Sequence, residues 1–179
     1  MGARRIQQAG FLMLEVMIAV VILALGLLGL AGLQARAHQA ETESYQRVQA
    51  LALLRDMADR INANRANAAS YLTPTSAPLG TGATKDCSAP TTTADVDLCT
   101  WSQLLLGASE LQGSTKVGAM LDARGCITSI GTNTYLVEVV WQGLAPTADP
   151  PTSLACGSGS YDAGYRRDIS TVVQIGVLT

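Results

Sequence analysis

An uncharged apolar run extends from Val16 to Leu33, and with Phe11 to Leu14 ahead of it and Glu15 as the lone interruption it makes a segment of 23 residues. As a helix that segment reaches about 34 Å at about 1.5 Å per residue, enough to cross a hydrocarbon core of about 30 Å. Past Leu33 the chain turns polar, yet from Gln34 to about Ala69 it holds neither Pro nor Gly and is rich in Ala, so the helix is expected to continue. Val48, Leu51, Leu54, Ala58 and Ile61 recur at three- and four-residue spacing, widened by Leu53 and Met57, and predict one apolar face; Arg55, Asp56, Asp59 and Arg60 predict the wet side.

From Tyr71 to Thr100 the pattern breaks. Pro74, Pro78, Pro90, Gly80 and Gly82 disfavour both helix and strand and predict a long connection. Thr100 with Gln103 three positions on reads as a capping box. It predicts a short helix with Trp101, Leu104, Leu105, Ala108 and Leu111 buried and Gly113 at its end. Three strands are expected after it. One is short, Cys126 to Ile130; two are longer and alternate, Tyr135 to Trp141 and Arg167 to Val177, each with one mostly apolar face. A turn-rich loop, Pro146 to Gly164, joins the last two. The expected fold is α+β: a long N-terminal helix, half membrane-spanning and half amphipathic, packed on a small antiparallel sheet of about three or four strands.

Composition narrows the function. The 179 residues suffice for one membrane helix and a head of modest size. Net charge is −2, and −4 if the segment bearing Arg4 and Arg5 is removed, leaving ten basic against fourteen acidic side chains. No basic tract remains to follow phosphates, so nucleic-acid binding is not indicated. Arg4 and Arg5 ahead of the apolar segment place the N-terminus in the cytoplasm and Cys87, Cys99, Cys126 and Cys156 on the far side, where disulfides form. Four cysteines allow three pairings; nearness in sequence favours Cys87 with Cys99 and Cys126 with Cys156, and the other two pairings stay open. With no C-x-x-C and a single histidine, His38, in the helix, a zinc site is not expected. Nothing resembles a catalytic constellation or a phosphate loop, so no enzyme and no cofactor is expected. Arg166 and Arg167, with Asp162 and Asp168 near, read either as a partner-binding edge or, the favoured reading, as edge-strand charges that discourage aggregation.

Glu15 is the feature that needs explaining, since a carboxylate within an apolar helix costs roughly 2.5 to 3.5 kcal/mol on insertion scales. A secretory signal would end at a site such as Ala35-Arg36-Ala37, but 18 uncharged residues after Glu15 exceed the expected apolar core of about 7 to 15. A plain anchor fits the length and leaves Glu15 unexplained. The third reading takes residues 1–10 as a basic leader ending in Gly10, followed by Phe11 and by Glu15 five residues after the glycine.

The Gly10-Phe11-x-x-x-Glu15 pattern resembles the type IV pilin family with its class III signal peptide. The resemblance implies cleavage after Gly10 by a membrane prepilin peptidase and methyltransferase, methylation of the Phe11 amine, and pairing of Glu15 with the Phe11 amine of a neighbouring subunit. That would turn a costly buried charge into a register device. The runs Gly26 to Gln34 and Ala50 to Arg65 are similar to those of the PilV-type minor pilins; Cys126, the Tyr135-to-Trp141 strand and Arg166-Arg167 are similar more loosely.

Membership implies a low-abundance pilus subunit that primes assembly with other minor pilins and the major pilin, and sits at or near the tip. It also implies contact with the inner-membrane assembly platform and with a tip adhesin, in support of surface motility and adhesion. The implied layout is a leader over 1–10, a membrane or filament-core helix over 11–33, its amphipathic continuation over 34–70 and a head over 71–179. Gly26, Gly29 and Gly32 recur every third residue and form a smooth strip for helix packing that stretches or unwinds on leaving the bilayer, or else are the ordinary glycines of a membrane helix. Two other classes share part of the pattern: a type II secretion minor pseudopilin, and a membrane-anchored periplasmic binding domain.

Overall fold

A computed structural model describes residues 11–83, 85–116, 118 and 120–176. The chain divides into two compact units, residues 1–42 and 43–179. Helix α1 runs from Phe11–Ala63 and is followed by a 3-10 segment, Arg65–Tyr71. The remaining elements are β1 (Leu79–Gly80), α2 (Thr93–Leu105), β2 (Leu111–Gln112), β3 (Thr115–Lys116), β4 (Arg124–Gly131), β5 (Thr134–Gln142) and β6 (Arg166–Gln174). The sheet is antiparallel with strand order β1-β4-β5-β6, and β2 and β3 form a separate short hairpin. This is the expected α+β architecture, a long N-terminal helix packed on a small antiparallel four-stranded sheet.

In the second unit one core joins helix and sheet. Ala50, Leu53, Leu54, Met57 and Ile61 of α1 are buried in the same cluster as Leu98, Trp101 and Leu105 of α2 and Ile127, Val137 and Val139 of the sheet. Trp101 is the centrepiece. It is fully buried, and its indole N–H donates to the Leu53 carbonyl of α1 at 2.9 Å. Gly125 on β4 leaves room for its ring: a Cβ there would stand 2.2 Å from the indole.

The structure corrects the sequence reading at several points. The apolar face of α1 is rotated: Val48 and Leu51 are exposed, while Ala50 and Gln46 turn inward. Broad apolar content on this helix left the phase ambiguous; the apolar residues that turn inward are those that join Trp101 and the sheet in one core. The α-helix stops at Ala63, and the stretch to Tyr71 tightens to 3-10. Helix α2 begins at Thr93, eight residues before the start that a Thr100 cap implies. Thr92 is its N-cap, accepting the Asp95 N–H at 3.1 Å, whereas the Thr100 hydroxyl donates to the Val96 carbonyl within the helix. The helix ends at Leu105, well short of Gly113, so Leu111 lies exposed in the small hairpin. The loop expected over 71–100 is correspondingly shorter.

The strand β5 is buried on both faces from Val137 to Trp141, where one apolar face was expected. Its outer face is covered by the loop between β5 and β6, pinned there by a disulfide between Cys126 and Cys156. Together with Val140 and a partly buried Tyr161 the two cysteines make a second, smaller core.

Candidate functional site

In the first unit, every residue over 13–33 is exposed, and the helix is long and apolar enough to cross a membrane. Such a surface in one chain calls for lipid or for other helices. Glu15 lies one helical turn beyond Phe11, exposed, and no described residue pairs with it. Gly10 and the rest of the expected leader fall outside the described residues. Among the described residues, nothing beyond the helix's own neighbouring backbone lies within 4 Å of where a Cβ would stand on Gly26, Gly29 or Gly32, so the strip is open to a neighbouring helix backbone. His38 is exposed and pairs with Glu41 at 3.4 Å.

In the second unit, Cys87–Cys99 ties the loop after β1 to α2, and Cys126–Cys156 ties the β5–β6 loop to β4. The first tether is reinforced by Lys85, which donates to Asp95 at 2.9 Å. Lys85, followed by the Thr92 hydroxyl, holds the Asp95 carboxyl down at about 2.

A polar network that the sequence did not reveal joins the end of α1 to α2. Arg60 donates to Asp56 at 2.9 Å and to Asp97 at 2.8 Å, and the Tyr71 hydroxyl donates to Asp97 at 2.5 Å. Burial first, and the Asp97 bond next, push the Tyr71 phenol above its ordinary range. The two residues lie 26 positions apart, Tyr71 at the end of the 3-10 segment and Asp97 in α2.

Arg166 and Arg167 do lie on an edge strand of the described sheet, as expected, but their side chains are tied into the fold and do not stand free as charges guarding that edge. Arg166 is buried and donates to the Leu154 and Cys156 carbonyls, both at 2.8 Å. Arg167, on the opposite face, donates to the Ala145 carbonyl at 2.6 Å, to Gly164 at 2.9 Å and to Glu43 of α1 at 3.4 Å. Both side chains are structural ties, because the loop over residues 146–164 folds back on the strand that carries them.

The second unit, then, is a disulfide-clamped α+β head served by one long N-terminal helix, a construction consistent with a pilin fold. Residues 32–105 match the model of the Tt1218-like family, described as type IV pilin Tt1218; the match reaches the last residue of α2. Over that stretch, 74 of the 179 residues, the chain is similar to type IV pilins. The exposed apolar helix fits a membrane-anchored pilin that ends up in a pilus. No curated protein and no solved structure matches the chain.

Proposed function

We propose that the chain is a PilV-type minor pilin, made as a prepilin with its helix in the inner membrane and its head in the periplasm. It is cleaved after Gly10, methylated on Phe11, and incorporated at or near the tip of a type IV pilus. The observation that carries this reading is Glu15. A carboxylate without a partner among the described residues, one turn into an exposed apolar helical segment, on a chain whose residues 32–105 match a pilin family, calls for a cationic partner. The new Phe11 amine of an adjacent subunit is such a partner. The helix then supplies the packing surface and the clamped head the contacts to other minor pilins, the major pilin and a tip adhesin.

Deletion of the gene in a piliated host tests the assignment. Loss of surface pili and twitching with intact exoprotein secretion is the expected result; the converse would identify a secretion pseudopilin instead.

A further inference from the structure

The outer face of β5 and β6 holds buried charges that the proposed function does not use. Glu138 and the Asp168 side chain are each 1% exposed. The register sets Val140 opposite Asp168 and Glu138 opposite Ser170, so the two carboxyls are diagonal neighbours on one face. Glu138 accepts the Cys156 N–H at 3.4 Å, whereas neither oxygen of Asp168 has a hydrogen-bond partner among the described residues. Arg166, on the same face, stands 4.0 Å from Asp168 through its Nη1, whose N–H groups donate to the loop carbonyls of Leu154 and Cys156. One guanidinium against two carboxylates leaves a net negative charge in a dry site, under a loop that the Cys126–Cys156 bond holds in place.

We propose that Glu138 and Asp168 hold a single proton between them, and that this proton latches the 146–164 loop onto the sheet. With the proton present the pair and Arg166 are neutral overall and the loop closes over them. Without it the buried excess charge is relieved when the loop loosens on either side of the Cys126–Cys156 tether and water enters.

The other charged groups around the pair do not supply that neutralisation. Arg124 of β4 is bound to Asp122 at 3.0 Å, with its guanidinium 5.4 Å from the Tyr161 ring. Asp149 of the loop accepts the Gly164 N–H. Glu43 faces Arg167 on the opposite side of the sheet. Burial first, then Glu138, push the Asp168 carboxyl up to about 7 from its ordinary 3.8, with Arg166 opposing; burial also raises Glu138.

The sign follows from the raised value. Closure is fully favoured below about pH 4, weakens as pH rises, and reaches a constant lower level above about pH 7. Arg166 and the loop's Thr152, Ser158 and Tyr161 also line a surface cavity.

Amide hydrogen exchange on the full chain in detergent micelles, corrected for intrinsic rates, tests the latch. Protection of the Cys156 amide is expected to fall by up to about tenfold per pH unit between pH 5 and 7, and to lose that dependence in Asp168→Asn. A flat wild-type profile, or the same slope in both proteins, overturns the proposal. Should Asp168→Asn fail to fold, a carboxyl carbon NMR titration of the wild type decides. A coupled titration with one midpoint near 7 supports the shared proton, and both midpoints below 5 contradict it.

Discussion

Gly125 of β4 lies flat against the indole of Trp101, so close that a Cβ at position 125 would stand 2.2 Å from the ring. The sheet thus approaches α2 at a point where only hydrogen fits, and the same indole is fastened to Leu53 of α1. Gly125→Ala is therefore expected to destabilise the head by about 1–3 kcal/mol through overpacking, read as a lower denaturant midpoint at unchanged slope.

The rotated face of α1 makes a paired prediction. Leu54, 3% exposed, should cost about 2–5 kcal/mol as Leu54→Ala, whereas Val48→Arg at a site 64% exposed should change stability by no more than about 0.5 kcal/mol. Equal losses in thermal unfolding would return Val48 to the core.

The two disulfides should differ under graded reductant. Cys126 and Cys156 are fully buried, while Cys87 is only half-buried, so the Cys87–Cys99 bond should be reduced first. Loop-closure entropy sets the loss on removal at about 3 kcal/mol for the span of 12 residues and closer to about 4 for the span of 30, provided no native strain is relieved. Timed alkylation with peptide mapping gives the order directly.

Asp95 offers an acid-limb test. Its folded value, about 2, lies below the ordinary 3.8, so its contribution is present above about pH 4 and is lost as pH falls toward 2. Replacing Lys85 by Met should reduce the acid dependence of stability in that window and leave it unchanged above pH 5. An unaltered acid limb would show that the Lys85–Asp95 pair does not contribute.

Much of this fold was legible in the residue pattern: the long helix from its apolar run and the want of Pro and Gly, and β5 and β6 from alternation. The start of α2 was misplaced although Thr92-x-x-Asp95 is itself a capping signal, because the Thr91-Thr92-Thr93 run after Pro90 reads as loop and Thr100-x-x-Gln103 offers a rival cap. The stripe Ala94, Leu98, Trp101, Leu105, all buried, would have settled it. What no local pattern revealed is the burial of the outer face of β5. The cover comes from residues 146–164, brought there by the cysteine at 156, and so the buried setting of Glu138, Arg166 and Asp168 depends on contacts between distant parts of the chain. The phase of α1 was hidden for a similar reason, since the core that Ala50 and Leu53 join includes Trp101, 48 residues beyond Leu53.

The most direct measurement of the central claim is to shear pili from cells expressing either the wild-type chain or Glu15→Leu and to identify the chain and its N-terminus by mass spectrometry. The account predicts wild-type chains that begin at methylated Phe11, and Glu15→Leu chains that are cleaved in the membrane and missing from the pili. Intact Met1–Gly10 leaders in a host that has the peptidase, or Glu15→Leu chains incorporated as well as wild type, would contradict it.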